Sequence, residues 1–198
     1  MVEVVPATAD RFEDLRRILG PKRDPDAPTC WCLSYRLPAN APGMRTGPGR
    51  QQIVRDLCAG EVPPGVLGYD AGEVVGWCSV SPRTAYHRLL HSRTIPRLQE
   101  RPGEDVWSIV CFVVRPGFRG RGVAAALLDG AVRYAAQHGA EVVEGYPVDS
   151  GGGRVNATLA FVGSRGLFER AGFTMAAPTS STADGRPRVV MRRRLEGG

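Results

Sequence analysis

The chain has 198 residues, enough for one large domain with a sizeable core. Its 42% hydrophobic and 23% charged residues are the balance of a globular protein in water, and no run approaches the roughly 18 apolar residues of a membrane span. The net charge is +6 and Lys22 is the one lysine among 26 basic residues; guanidinium forks suit a phosphate-bearing ligand as well as nucleic acid.

The start, "MVEVVPATAD", shows no basic segment followed by an apolar one, so a cytoplasmic protein is expected. "VEVVPAT" reads as a short strand. "ADRFEDLRRILG" places Phe12, Leu15, Ile18 and Leu19 on one face and predicts a helix ending at Gly20. Residues 21–49, rich in Pro and Gly, read as a long loop. "RQQIVRDLCAG" is a second helix closed by Gly60, and "GVLGYDAGEVVGWCSVSP" is two strands joined by a turn at Asp70 to Gly72. Residues 83–105 are polar, with a short helix around Tyr86 to His91. "VWSIVCFVVRP" is a buried strand stopped by Pro116. A helix from about 121 to 138 carries Val123, Leu127, Leu128, Ala131 and Ala135 on one face and ends at Gly139. "EVVEGYPV" is another strand, and residues 147–160 form a second long loop. "SRGLFERAGF" is a short helix. "FTMAAP" and "RVVMRRRL" form a closing hairpin around "STADGRP".

The helix between the strands at 106–114 and 141–146 makes those two parallel, through a right-handed crossover. The remaining strands join by short turns and pair antiparallel. The expectation is an α/β (α+β) chain forming one domain over residues 1–198. Its sheet is mixed and mostly antiparallel, with a central parallel pair and helices on both faces.

The stretch "RPGFRGRGVAA" raises a question about the helix that follows it. A helix start leaves four backbone N–H groups unpaired. A Ser, Thr, Asp or Asn cap is worth about 0.5–2 kcal/mol there, yet Arg119, Gly120, Arg121 and Gly122 offer no such acceptor. Three readings follow. A bound phosphate would accept from the N–H groups and cancel the charge. "GRGVAA" also fits a dinucleotide fingerprint, although five residues separate it from the strand and it opens no βαβαβ unit. The third reading is a plain Gly-containing connection with solvated arginines.

The stretch resembles motif A of the GNAT family of N-acetyltransferases, R/Q-x-x-G-x-G/A, read here from Arg119 to Ala124. The preceding strand with Pro116, the later "ERAGF" at 169–173 and the element order fit the same family, from residue 1 to about 195. The resemblance implies the acyl-CoA N-acyltransferase fold, with a splayed central strand pair, and acetyl-CoA as cofactor. Its pyrophosphate would lie on the N–H groups of Arg121, Gly122, Val123, Ala124 and Ala125, beside Arg119 and Gly120. Its arm would run along Phe112, Val113 and Val114. The acceptor amine would attack the acetyl group directly, which calls for a proton acceptor and a proton donor. The position where many members carry a donating Tyr is Phe168 here, and the frequent Asn falls at Phe161. Ser164 is the substitute candidate for the acid. Glu104 and Asp105 are candidates for the base, with Glu144 on the neighbouring strand. Between the first two helices Trp31, Tyr35 and Arg36 are candidates for acceptor contacts, and Arg83 for an acidic group of the substrate.

No metal is expected. Cys30 and Cys32 form a C-x-C without a second pair, and His87 and His91 lack an H-E-x-x-H pattern. The five cysteines read as reduced thiols. "MRRRL" has no RNA-binding signature beside it, which disfavours nucleic acid. The expected partner is an amine of a small molecule, peptide or protein, with no membrane contact; a homodimer is left open. A non-catalytic acyl-CoA-binding or regulatory module is the rival reading, ahead of an Arg-driven nucleic-acid binder.

Overall fold

The apolar runs sort into one seven-stranded sheet in the computed structural model, which describes residues 1–98, 100, 104–149, 151, 160–183 and 185–195. The strands are β1 (Glu3–Pro6), β2 (Gly65–Asp70), β3 (Glu73–Pro82), β4 (Val106–Val114), β5 (Val142–Gly145), β6 (Thr174–Ala183) and β7 (Arg186–Arg194). Their spatial order is β1-β2-β3-β4-β5-β7-β6. β4 and β5 are parallel, and every other neighbouring pair is antiparallel.

The helices are α1 (Phe12–Leu19), α2 (Gly47–Ala59), α3 (His87–Leu90), α4 (Val123–Gln137) and α5 (Arg165–Arg170). α4 is the crossover of the parallel pair. It packs Val123, Leu127, Leu128 and Ala131 into one cluster with Val75, Cys78, Val80 and Ile109. Leu127 and Leu128 are fully buried, each contributing roughly 1.5–3 kcal/mol by leaving water. On the opposite face α1 and α2 bring Phe12, Leu15, Ile18 and Val54 together with Leu67, Val74 and Trp77. β3 supplies both layers because successive side chains of a strand point to opposite faces.

Three boundaries differ from the sequence expectation. α2 begins at Gly47, inside the segment read as loop through 49. Thr46 Oγ1 accepts from Gly49 N at 3.1 Å, and Pro48 fits the first turn. α4 begins at Val123 rather than near 121, because Gly120 and Gly122 take φ of +75° and +81°, outside the right-handed helix region. The closing hairpin is longer than expected and takes in most of "STADGRP". There Thr179 Oγ1 donates to Arg188 O at 2.8 Å and ties the two strands together. Of the long loop expected at 147–160, positions 150 and 152–159 lie outside the described residues. Val148 bridges to Ser164 and Arg188.

No helix among the described residues is long and apolar enough to cross a membrane.

Candidate functional site

β4 pairs with β3 from Trp107 to Val114, but with β5 only from Val106 to Ile109. Beyond Ile109 the two parallel strands separate, so the β5 side of β4 from Val110 to Val114 has no strand partner among the described residues. Two features hold the strands apart. The β3–β4 register slips between Ser79 and Val80, where Val110 is the extra residue; a bulge of this kind bends a strand and re-aims its side chains. Phe168 of α5 then fills the wedge. It is fully buried, packs edge-on against Phe112 at 6.1 Å and Phe173 at 5.0 Å, and leaves no room for a side chain on residue 145. A Cβ on Gly145 would lie 2.1 Å from the Phe168 ring.

The open end of this wedge meets the start of α4. Gly122 is the N-cap and no side chain caps the helix. The first bond of α4 runs from Ala126 N to Gly122 O, so the N–H groups of Val123, Ala124 and Ala125 have no partner within the helix. A Cβ on Gly120 or Gly122 would meet nothing within 4 Å. A cleft of about 650 Å³ lies here, lined by Phe112, Val114, Arg119, Gly122, Ala125 and Phe161 among others. Three free N–H donors, the positive end of a 15-residue helix and an arginine around open space fit a pyrophosphate. The bare edge of β4 fits an extended, amide-bearing arm.

The cofactor-contact candidates Phe112, Val113, Val114, Arg119, Gly120, Gly122, Val123, Ala124 and Ala125 all line this cleft. Arg121 does not. Its guanidinium turns to Asp70 at 3.4 Å and over the Phe118 ring at 5.1 Å. Phe118, Leu167 and Arg170 also line it and were missed: Phe118 sits in the turn just before Arg119, and the folding of α5 against β4 brings Leu167 and Arg170 there. A third opening, about 1010 Å³, lies across Val113, Val114 and Arg119 and is lined by Arg16, Arg17, Lys22 and Arg115. Despite its size it lacks the uncapped helix start.

The proposed acid–base residues fall elsewhere. Asp105 precedes β4, a strand length of roughly 30 Å from Val114, and accepts from Trp107 Nε1 at 3.1 Å. Glu104 is buried and pairs with Arg194 at the same end of the strand. Ser164 caps α5, accepting from Leu167 N at 3.3 Å. Glu144 is buried with both oxygens engaged: Oε1 accepts from Arg192 Nε at 2.5 Å, and Oε2 from Arg83 Nη1 at 3.1 Å and from the Tyr146 hydroxyl at 2.8 Å.

Among the acceptor candidates, Arg83 is buried between Glu144 and Glu100 and belongs to this inner network. Trp31 is buried and stacked parallel to Phe12 at 6.2 Å. Arg36 is buried, with Nη2 donating to Ser81 Oγ at 2.7 Å and its guanidinium over the Tyr86 ring. Tyr35 alone of the four lines an open cleft, of about 770 Å³, together with His87, Arg88, His91, Arg93 and Phe161. Phe161 is 42% exposed and lines both this cleft and the 650 Å³ cleft. Among the described residues no group of three or more His, Cys, Asp or Glu is placed to hold a metal ion.

Residues 39–151, more than half of the chain, match the model of the acetyltransferase (GNAT) family. Solved structures share the fold. A histone acetyltransferase HPA2-related acetyltransferase from Corynebacterium glutamicum is 20% identical with a TM-score of 0.55, covering 98% of this chain and 97% of that one. Ard1 from Thermoplasma volcanium is 17% identical with a TM-score of 0.52, covering 98% of each chain. A Drosophila melanogaster polyamine N-acetyltransferase is 12% identical with a TM-score of 0.54, covering 98% and 100%. No curated protein sequence matches the chain. The splayed parallel pair, the uncapped glycine-lined start of α4 and the family match agree, and the chain belongs to the GNAT acetyltransferase family, whose acetyl donor is acetyl-CoA.

Proposed function

We propose that the protein is an N-acetyltransferase that moves the acetyl group of acetyl-CoA to a primary amine by direct attack. The observation that carries this reading is the open start of α4 beside the unpaired edge of β4. Acetyl-CoA, when bound, supplies the acetyl group as an activated thioester. The N–H groups of Val123, Ala124 and Ala125 and the guanidinium of Arg119 meet the phosphates. The edge from Val110 to Val114 offers N–H and C=O groups to the amide-bearing arm, and Phe112 and Phe161 exclude water from the cleft.

Neither Glu104 nor Asp105 stands where an amine proton is released, and both oxygens of Glu144 are engaged by Arg83, Arg192 and the Tyr146 hydroxyl. The imidazoles of His87 and His91 line the second cleft, and in this reading a ring nitrogen of this pair accepts the amine proton. Ser164 is committed to capping α5 and is assigned no proton. All five cysteines are free thiols, which suits the cytoplasmic setting we propose.

The test pairs binding with turnover. Acetyl-CoA at a hundred times its Kd raises stability by about 2.7 kcal/mol through mass action; no stabilisation rejects the reading. Thiol release on adding amines separates an enzyme from a binding module. Ala125→Glu gives the sharper result. Position 125 is exposed in the first turn of α4, where a carboxylate favours the helix but repels a pyrophosphate. The melting temperature should hold or rise slightly while CoA affinity falls tenfold or more, about 1.4 kcal/mol.

A further inference from the structure

The second cleft shows what the acceptor amine carries with it. Of its lining side chains among the described residues, Arg88 and Arg93 are cationic, His87 and His91 are imidazoles, and none is a carboxylate. Neither arginine pairs with a carboxylate among the described residues. Arg88 Nη1 donates to Ser34 O at 3.2 Å, which holds its guanidinium against the cleft's opposite wall.

Tyr35 adds a hydroxyl whose proton is available to donate. Its hydroxyl oxygen accepts from Arg188 Nη1 at 2.7 Å. A guanidinium has no acceptor to offer in return, so the phenolic hydrogen is left to donate. Arg188 is itself buried and anchored, with Nε donating to Tyr146 O at 2.9 Å. Tyr35 therefore presents an O–H donor, backed by a positive charge, to whatever fills the cleft.

The walls are tied to one another. Arg88 N donates to Tyr35 O at 3.0 Å and His87 N to Arg36 O at 3.4 Å, which joins α3 to the loop after α1. Ser180 N donates to Thr94 O at 3.0 Å, which joins β6 to the segment after α3. A charged site held on three fixed walls meets its ligand without first being ordered.

We propose that this cleft holds the acceptor, and that the acceptor is a small amine bearing an anionic group, a carboxylate or a phosphate, gripped by Arg88, Arg93 and the Tyr35 hydroxyl. The proposal rests on the acetyltransferase reading above. It places the anion at the arginine end and the amine toward Phe161, which lines both clefts. The role expected for Arg83 thus falls to arginines that the fold leaves open. A second positive charge on the acceptor is repelled, so polyamines are poor substrates.

The full chain, saturated with acetyl-CoA, is assayed by thiol release on matched amines. 4-Aminobutyrate is set against putrescine, and 2-aminoethyl phosphate against ethanolamine, the two pairs separating carboxylate from phosphate. Calorimetry on the CoA-saturated chain reads binding of the same probes. In at least one pair the anionic amine should exceed its partner tenfold or more in kcat/KM. Arg88→Ala and Arg93→Ala should each raise its KM and Kd about five- to tenfold, leaving the KM for acetyl-CoA and the thermal shift with acetyl-CoA unchanged. Equal or better use of putrescine and ethanolamine overturns the proposal, as does indifference to both substitutions or no binding of either anionic probe. Absence of stabilisation by acetyl-CoA removes the acetyltransferase reading itself. Stabilisation without preference for the anionic amines removes only the substrate class.

Discussion

Glu144 faces Ser108 in the β4–β5 register, and the hydroxyls of Ser108 and Tyr146 lie 2.9 Å apart. With Arg83 and Arg192 they make a polar layer inside the sheet. Burial and the carboxylate of Glu144 push the Tyr146 phenol up, so it stays protonated and donates to Oε2. Glu144→Gln keeps the shape but removes the charge shared by the buried Arg83 and the partly buried Arg192, while Arg83 keeps Glu100. Such a loss costs about 3 kcal/mol, the low end for a broken buried pair, expected as an earlier urea midpoint. A stability unchanged within 1 kcal/mol, together with lost turnover, would instead point to catalysis. This layer could not be read from the sequence. Arg83 and Glu144 are 61 positions apart, and a lone Arg after a strand carries no mark of its partner. Trp31 was equally opaque, because only the packing of α1 shows that its ring covers Phe12 rather than an open pocket.

At the scale of elements, α4 was the most legible part of the chain. Its 3.6-residue spacing places the apolar face, and its missing cap and flanking glycines mark the end proposed to meet the cofactor. Inside the helix Gly130 faces Val4 of β1, and a Cβ there would lie 2.3 Å from Val4 Cγ1. Two effects oppose each other in Gly130→Ala. Alanine gains about 1 kcal/mol in helix propensity, while overpacking costs about 1–3 kcal/mol. With an overlap this deep the clash wins, so a net loss of 1 kcal/mol or more is expected on urea unfolding. The added change Val4→Ala should recover part of it. The splay of β4 from β5 was legible only through the family resemblance. The bulge at Val110 and the wedge of Phe168 are tertiary facts, and "VWSIVCFVV" reads as one uninterrupted strand.

The whole molecule carries its positive charge almost entirely on arginine, which does not titrate below about pH 12. Its alkaline limit is therefore set by buried thiols and phenols. Burial pushes Cys78 above its ordinary 9.0 and Cys58 to about 11, and the Cys111 thiol together with burial raises Cys32. Burial pushes Tyr134 from 10.0 to about 12, with its hydroxyl donating to Pro63 O at 3.0 Å. Above pH 9 the unfolded chain releases these protons first. It then binds fewer protons than the folded chain, so stability falls as pH rises. The full contribution is present below pH 9 and lost progressively toward pH 12. Urea midpoints measured from pH 7 to 11.5 should be level at first and then decline. Tyr134→Phe should lower the neutral plateau by about 1 kcal/mol, the worth of the lost hydrogen bond, and flatten the decline above pH 10. A variant that kept the parent's slope there would show that the Tyr134 phenol does not couple to folding. The prediction is independent of both clefts, since Tyr134 lies on the buried side of α4 and anchors it to the segment before β2.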